Sequence, residues 1–250
     1  MEDREKAWLL TEKYGGEQTP AYEAECARLD AGEPLGYIIG HVPFLGTTIH
    51  LDSHPLIPRV ETEYWVASVI ATINTTHPNN TPLRILDLCA GSGCIGVALL
   101  HALPTATVDF VEVDTAHHTT IRKNIAANTI DPARTQIHAG DLFTDVHGTY
   151  DYILTNPPYI DSARNRVAEN VAAHEPALAL YGGDAGVEII ARIIADAPRY
   201  VTLTGSLYIE HEPEQTTHLH TLAAQAGLTA HTETDQYDVL RYTRCRRIPT

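Results

Sequence analysis

The stretch that decides the fold is RILDLCAGSGCIG, residues 84–96, in which a short apolar run leads into three closely spaced glycines. Residues 84–88 have the composition of a buried strand, and the residues after the glycines have helical periodicity. Gly91, Gly93 and Gly96 therefore form a G-x-G-x-x-G loop between a strand and a helix. Glycines in such a loop let the backbone turn tightly and approach a ligand closely.

Outward from this loop, strand and helix patterns alternate, which predicts a mostly parallel sheet with helices on both faces. We predict strands at 84–88, 107–113, 135–139, 150–155 and 205–210, followed by a terminal hairpin of 228–234 and 237–244. We predict helices at 60–73, 93–103, 115–128, 185–200 and 213–226. Upstream, we expect two short helices at 2–14 and 18–31, and a β-hairpin or extended linker at 32–56.

The composition restricts the classes of protein to consider. The 250 residues are 44% hydrophobic, enough for one large or two modest domains. No apolar run reaches the roughly 20 residues that span a bilayer, and the N-terminus lacks a signal-peptide pattern. Four scattered cysteines without a CxxC pair favour a reduced, cytoplasmic protein. The net charge of −15 argues against broad binding to nucleic-acid backbones, and the fourteen histidines show no metal-ligand spacing.

Several acidic residues follow predicted strands, where ligands of such sheets bind. Asp114 comes roughly 20 residues after Gly91, the spacing of a carboxylate that binds ribose hydroxyls; the alternative is a cap of the next helix. Asp87 would repel a pyrophosphate but attract the cationic methionine moiety of S-adenosylmethionine, unless it simply caps the strand end. Asp141 would accept from an adenine amino group while Leu142 packs on the ring, or it is an ordinary turn residue.

A second motif, Asn156-Pro157-Pro158-Tyr159, follows the strand predicted at 150–155. It presents two acceptors, the side-chain carbonyl of Asn156 and the backbone carbonyl of Pro157. Pro158 holds the residue before it extended, and Tyr159 supplies a flat wall. Such groups can grip a planar –NH2, stabilise the charge that develops on its nitrogen, and hold it in line with a methyl–sulfur bond. The motif therefore favours methyl transfer to an amino or amide nitrogen over a plain turn.

With these motifs the chain resembles class I S-adenosylmethionine-dependent methyltransferases, specifically the HemK/PrmC family of release factor glutamine methyltransferases. LDLCAGSG (86–93) is similar to the cofactor loop of the family, and NPPY to its substrate motif. Three further stretches are more specific: GEPLGYIIGHVPFLG (32–46), LIPRVETE (56–63) and HEPALALYGGDAGVE (174–188). The resemblance implies a Rossmann-like α/β fold with a seven-stranded, mostly parallel sheet that ends in an antiparallel hairpin, preceded by a short helical N-terminal segment.

The resemblance also implies a reaction and a site. The methyl group of S-adenosylmethionine would go to the side-chain amide of the glutamine in the Gly-Gly-Gln motif of class I peptide chain release factors, leaving S-adenosylhomocysteine. The implied cofactor-binding residues are Asp87, Cys89, Ala90, Gly91, Ser92, Gly93, Asp114, Asp141, Leu142 and Asn156. The implied substrate-binding residues are Asn156, Pro157, Pro158, Tyr159, Arg59 and Glu61. Catalysis would rest on Asn156, Pro157 and Tyr159, and no metal is expected.

The chain also departs from the family pattern. Cys89 and Ala90 replace the usual Gly and Thr or Ala, and Leu142 stands where some members carry an aromatic residue. The family usually carries an N-terminal bundle of several helices, whereas here about 31 residues precede the linker. We divide the chain into a helical segment at 1–31, a linker hairpin at 32–56 and the methyltransferase domain at 57–250.

The expected partner is a class I release factor in the cytoplasm, with no membrane and no broad nucleic-acid binding. Two alternatives stay open. A nucleic-acid amino-methyltransferase, acting on adenine N6, cytosine N4 or guanine N2, would use the same NPPY site, and a scaffold would bind cofactor without catalysis. For the segment 56–63, a helix N-terminus with Glu61 and Glu63 favourably near the dipole is the alternative to a role in the active site.

Overall fold

The architecture is a twisted seven-stranded sheet covered by helices, preceded by short helices and a two-stranded hairpin. It was obtained as a computed structural model that describes residues 2–77, 81–164 and 167–248. The N-terminal part contains α1 (Glu2–Tyr14), α2 (Pro20–Asp30), α3 (Leu35–Ile39), β1 (His41–Phe44) and β2 (Thr47–His50). No helix in these described ranges is both long and apolar enough to cross a membrane.

The main sheet contains the strands β3 (Arg84–Leu88), β4 (Thr107–Glu112), β5 (Thr135–Ala139), β6 (Tyr150–Thr155), β7 (Val201–Glu210), β8 (Leu228–Thr234) and β9 (Leu240–Arg247). The longer helices around it are α4 (Val60–Thr76), α5 (Cys94–Ala102), α6 (His117–Ala127), α9 (Glu188–Asp196) and α10 (Thr216–Gln225). Two shorter helices, α7 (Glu169–His174) and α8 (Ala177–Leu180), lie between β6 and α9.

The strand order is β5-β4-β3-β6-β7-β9-β8, in which β9 runs antiparallel to both of its neighbours and the strands from β5 to β7 are parallel. The predicted fold class, with its C-terminal antiparallel hairpin, is confirmed. Because β3 lies between β4 and β6, the loops that follow these three strands meet at one edge of the sheet. The glycine loop and the NPPY motif are therefore neighbours in space.

Successive side chains of each strand point to opposite faces of the sheet and contribute to two apolar layers, one on each face. Ile85 packs with Trp65 and Phe110 on one face, whereas Leu86 packs with Ile153 on the other. All five of these side chains are fully buried. This two-sided burial explains why the parallel strands are apolar along their whole length rather than alternately polar.

The hairpin of β1 and β2 is docked on α6 by two asparagine side chains. The Asn124 amide accepts from the backbone nitrogen of His50 at 2.7 Å and donates to the carbonyl of the same residue at 3.1 Å. The Asn128 amide makes the same pair of bonds with Thr48, at 2.9 and 2.8 Å. These side chains satisfy backbone groups of an edge strand. The hairpin of the predicted linker is thus confirmed, while the domain boundaries stay a prediction.

Some element predictions were wrong, each for a local reason. Helix α9 begins at Glu188, not at 185, because Ala185 and Gly186 have positive φ and cannot continue a helix. The last strand begins at Leu240 rather than 237, because Asp235 accepts from two backbone N–H groups and holds 235–239 as a turn. Strand β7 begins four residues earlier than predicted, and α3, α7 and α8 were not predicted.

Candidate active site

The loop after β3 turns sharply through residues with left-handed backbone conformation. Gly91 and Gly93 have φ of 53° and 77°, which glycine adopts without a steric penalty. Cys89 has φ of 60° although it carries a Cβ. Gly96 serves another purpose, because a Cβ there would lie 2.2 Å from a ring carbon of Phe110. The third glycine therefore lets α5 pack directly against β4.

Asp87 lies under this loop in a fully buried position. Its Oδ2 accepts a hydrogen bond from the backbone nitrogen of Gly96 at 2.8 Å, which fixes the start of α5. Its Oδ1 is buried without a hydrogen-bond partner among the described residues. The pKa of this carboxyl is raised to about 8, mainly by burial; the Gly96 hydrogen bond opposes the rise and the nearby Glu112 adds to it.

Glu112 is the buried acid that the sequence analysis missed. Its Oε2 accepts from the backbone nitrogen of Gly91 at 2.7 Å, and its Oε1 accepts from that of Asp114 at 2.8 Å. One carboxylate thus joins the glycine loop to the loop after β4. Glu112 also lines the main cavity. The sequence analysis passed over Glu112 because this residue lies inside the strand predicted at 107–113. That strand is one residue longer than β4, so Asp114 was taken as the first residue after the strand.

Asp114 also lines the cavity, but it is only partly buried. Its Oδ1 accepts from the backbone nitrogen of Ala116 at 2.9 Å, which closes a turn just before α6. The N-cap of α6 is Ala116 and has no side-chain hydrogen bond, so the structure does not place Asp114 as the helix cap that the sequence left open. The neighbouring His117 is buried, and its Nδ1 lies 2.8 Å from the hydroxyl of Ser53. Glu112 and Asp114 therefore share the cavity wall, and Glu112 is the more enclosed of the two.

The loop after β5 brings Asp141 and Leu142 to the same cavity. Leu142 is buried with a positive φ of 54°, so its side chain forms a fixed apolar wall. Asp141 is exposed and pairs with Arg192 at 2.6 Å. The exposed side chain of Val113 lines the same space, so the wall combines apolar surface with carboxylates at its edge.

A cavity of about 350 Å³ lies at the carboxyl ends of β3, β4 and β6. The sequence-predicted cofactor residues that line it are Cys89, Ala90, Gly91, Ser92, Asp114, Asp141, Leu142 and Asn156. Asp87 and Gly93 are not among its lining residues. The cavity fits S-adenosylmethionine: an open space faces Gly91, carboxylates lie beside it for hydroxyl and ammonium groups, and apolar walls suit an adenine ring.

Asn156 reaches this cavity from the end of β6, the strand next to the one that leads into the glycine loop. Its Nδ2 donates to the hydroxyl of Thr62 at 3.2 Å. The Thr62 hydroxyl in turn donates to Oε2 of Glu210 at 2.7 Å. Glu210 is fully buried at the end of β7, and this burial raises its pKa. Both residues were missed by the sequence analysis, although Glu210 ends a predicted strand.

Tyr159 contacts the same buried carboxylate. Its hydroxyl donates to Oε1 of Glu210 at 3.0 Å, and burial raises the pKa of the phenol well above its ordinary value. Tyr159 lines a second, smaller cavity, whereas Pro158 lines the main cavity and Pro157 is buried. The structure thus brings the four residues of the motif to one place, with Tyr159 anchored from behind.

The segment 181–186 braces the chain that follows the motif. Ile160 donates to the carbonyl of Leu180 at 2.9 Å, and Gly182 donates to the carbonyl of Ile160 at 3.1 Å. A Cβ on Gly182 would lie 2.4 Å from the carbonyl oxygen of Pro158. Gln215 donates to the carbonyl of Tyr159 at 2.7 Å. The glycines of this stretch therefore allow two backbone segments to touch.

Arg59 and Glu61, predicted as substrate contacts, do not line the main cavity, whereas Pro58 and Thr62 of the same segment do. The Arg59 guanidinium pairs with Glu175 at 2.6 Å, and the Glu175 side chain is only 1% exposed. This ion pair ties the start of α4 to the start of α8. It holds the mouth of the cavity, where Leu56, Pro58, Pro176, Leu178 and Ala179 form an apolar rim.

Comparison with known proteins identifies relatives of this chain. The family model of the methyltransferase small domain matches residues 70–183. A release factor glutamine methyltransferase of Francisella tularensis is 35% identical over 81% of this chain and 70% of the relative. A 4-amino-L-phenylalanine/4-methylamino-L-phenylalanine methyltransferase of Streptomyces pristinaespiralis is 32% identical over 80% of this chain and 68% of the relative.

Coverage of the relatives differs. A ribosomal protein uL3 glutamine methyltransferase of Bradyrhizobium diazoefficiens is 31% identical over 73% of this chain, and the match spans only 59% of that relative's length. Among solved structures, the catalytic domain of human METTL16 has a TM-score of 0.62 at 18% identity, covering 82% of this chain and 77% of that one. That likeness concerns the fold.

Proposed function

The chain belongs to the HemK/PrmC family of release factor glutamine methyltransferases, and from this premise we propose that it methylates the side-chain amide nitrogen of a glutamine. The donor is S-adenosylmethionine, and the substrate is the Gly-Gly-Gln glutamine of a class I peptide chain release factor. Such a factor is cytoplasmic, so we propose the same compartment for the enzyme. The single observation that carries the proposal is the presence of Asn156 in the cavity that the glycine loop lines.

The proposed cofactor site combines the glycine loop with two acids. Backbone groups of 89–92 pass beside the methionine part, and the Glu112 carboxylate, with Asp114 at its edge, faces the ribose hydroxyls. Leu142 and Val113 enclose the adenine ring. When bound, S-adenosylmethionine supplies an electrophilic methyl group on a positively charged sulfur.

The proposed chemistry at the amide needs acceptors rather than a strong base. An amide nitrogen is a poor nucleophile because its lone pair is delocalised. Oδ1 of Asn156 and the carbonyl of Pro157 accept its two hydrogens and thereby stabilise positive charge as the new nitrogen–carbon bond forms and the methyl–sulfur bond breaks. The sulfur keeps the electron pair, and the methylated nitrogen, now acidic, loses one proton to water.

The test is a methylation assay with purified release factor and S-adenosylmethionine, read by peptide mass spectrometry. We expect one added methyl group on the Gly-Gly-Gln glutamine. The matched control is the same factor with that glutamine changed to glutamate, which offers no amide nitrogen. No mass gain on the wild-type factor would reject the proposed substrate.

One observation favours a second candidate, an arylamine substrate. The Streptomyces relative, named for 4-amino-L-phenylalanine, matches this chain about as well as the release factor enzyme does. An aniline also presents a planar –NH2, and the apolar rim of Leu56, Pro176 and Leu178 suits an aromatic ring. Incubation with 4-amino-L-phenylalanine and chromatographic detection of its methylamino product tests this candidate. The nucleic-acid alternative is not favoured by these relatives.

A further inference from the structure

Asn156 can catalyse the proposed reaction only if its amide faces the right way. Oδ1 must point at the substrate –NH2, because Nδ2 would meet it with hydrogens of its own. The two orientations are related by a 180° rotation of the side-chain amide, which exchanges Oδ1 and Nδ2 without changing the space that the group occupies. A protein group that contacts the Asn156 amide has to select between them.

The selecting groups form a chain of hydrogen bonds behind Asn156. The Thr62 hydroxyl donates its single proton to Oε2 of Glu210, 2.7 Å away. That leaves the Thr62 oxygen as the acceptor for Nδ2 of Asn156 at 3.2 Å. With Nδ2 turned inward, Oδ1 faces away from Thr62, and no hydrogen bond within the described residues uses it.

Further hydrogen-bond donors to Glu210 fix the direction of the hydrogen bonds from Asn156 through Thr62 to Glu210. The indole Nε1 of Trp65 donates to the same Oε2 of Glu210 at 2.6 Å, and an indole has no acceptor to offer in return. The Tyr159 hydroxyl donates to Oε1 at 3.0 Å. Three donors converging on one buried carboxylate stabilise its charged form against the cost of burial. A charged end also strengthens each hydrogen bond along the chain, and so makes Oδ1 of Asn156 a better acceptor.

We propose that Thr62 and Glu210 are positioning residues that fix the orientation of the Asn156 amide, so that its oxygen receives the substrate –NH2. The inference rests on the proposed methyl transfer at Asn156, and it holds for a glutamine amide or an arylamine alike. It assigns a role in the reaction to the segment 56–63, for which a plain helix N-terminus was the alternative.

The test compares substitutions of Thr62 that keep or remove its hydroxyl. Thr62→Val preserves the shape and removes the acceptor, and we expect kcat to fall 10- to 100-fold while the S-adenosylmethionine Kd changes less than about threefold. Thr62→Ser keeps the hydroxyl, and we expect kcat within about threefold of wild type. Thr72→Val is the matched control, since the Thr72 hydroxyl lies on the exposed side of the same helix and only donates to Ser68. Turnover of Thr62→Val equal to that of Thr62→Ser would overturn the proposal.

A structural readout separates this inference from the proposed substrate. In the NMR spectrum of the wild-type protein, the side-chain NH2 protons of Asn156, assigned by their loss in Asn156→Ala, should show a nuclear Overhauser effect to the Thr62 methyl group. The effect needs no substrate, so it tests the orientation even if the release factor is not methylated. Its absence would overturn the proposal, whereas a failed methylation assay with the effect present would reject only the substrate.

Discussion

Oε2 of Glu112 lies 2.7 Å from the backbone nitrogen of Gly91, so one buried carboxylate closes the glycine loop against the next strand. We expect Glu112→Gln to raise the S-adenosylmethionine Kd by about 10- to 100-fold, because the amide nitrogen of Gln would face a backbone N–H. The matched variant is Asp114→Asn, at a partly exposed carboxylate, for which we expect a change of less than about fivefold. Isothermal titration calorimetry measures both. A larger loss in Asp114→Asn than in Glu112→Gln would show that Asp114 is the main ribose-binding carboxylate, as the sequence predicts.

Asn156→Ala removes the side-chain acceptor from the proposed site. We expect kcat to fall by about 100- to 1000-fold, as for loss of one group that stabilises charge in a transition state. Because the proposed cofactor contacts come mainly from the glycine loop and the acids Glu112 and Asp114, we expect the Kd of S-adenosylmethionine to stay within about threefold. Steady-state kinetics and calorimetry separate these two effects. A lost cofactor affinity with normal turnover would contradict the role given to Asn156.

Gly182→Ala should disturb the brace behind the NPPY motif. The added Cβ would lie 2.4 Å from the carbonyl oxygen of Pro158 and 2.5 Å from that of Gly186, and neither backbone atom can move aside freely. We expect a loss of about 1–3 kcal/mol in the free energy of unfolding, measured by urea denaturation. Gly140→Ala is the control, because its Cβ would meet nothing closer than 3.5 Å. Equal stability of the two variants would show that the contact is relaxed at no cost.

Asp87→Asn should change how stability depends on pH. Burial raises the Asp87 pKa to about 8 in the folded chain, from an ordinary value near 4 in the unfolded one. The folded chain therefore holds a proton that the unfolded chain has lost between those values, and wild-type stability falls as pH rises from about 4 to about 8. Asn cannot ionise, and its amide oxygen can still accept from Gly96.

The measurement for Asp87→Asn is the urea midpoint of variant and wild type at pH 5 and pH 8, without added cofactor. The variant should gain on the wild type at the higher pH. A difference that stays constant between the two pH values would mean that this carboxyl ionises normally in the folded protein.

Arg59→Ala should destabilise the mouth of the cavity. It leaves the buried carboxylate of Glu175 without its ionic partner, and we expect a loss of about 1–2 kcal/mol. This is below the loss for a fully buried pair, because the Arg59 side chain is one-third exposed. Lys123→Ala, which breaks an exposed pair with Asp52, is the control and should cost less than about 1 kcal/mol. Chemical denaturation compares the two, and equal losses would show that the burial of Glu175 contributes nothing.

The fold could be predicted because each buried strand is a short apolar run with its own turn signal. Residues 84–88, 135–139, 150–155 and 228–234 were predicted with the bounds that the structure has. The short helices α7 and α8 were missed because they are held by their surroundings, through Arg59 and the bridge between Ile160 and Tyr181, rather than by helical periodicity.

The candidate site could be predicted in part. Its loops were found because glycines, prolines and strand ends are local signals. Thr62 and Glu210 were missed because their importance lies in a hydrogen bond between residues far apart in the chain. Glu210 did carry a signal, since it is an acid at the carboxyl end of a predicted parallel strand. The roles of the individual site residues stay predictions until the variants above are measured.

The NPPY segment is held on both sides, whereas the rim of the cavity is a separate part of the structure. The chemistry at nitrogen and the choice of substrate therefore depend on different residues. Backbone pairing at 180–182 holds the NPPY segment on one side, and the hydrogen bond from Tyr159 to the buried Glu210 holds it on the other. We therefore expect the proposed acceptors to be in position before substrate binds. The rim side chains of α8 take no part in that backbone pairing, and one of them, Leu178, is mostly exposed. Substitutions in the rim alone can therefore change which substrate enters the cavity, while the residues proposed for methyl transfer to nitrogen stay the same.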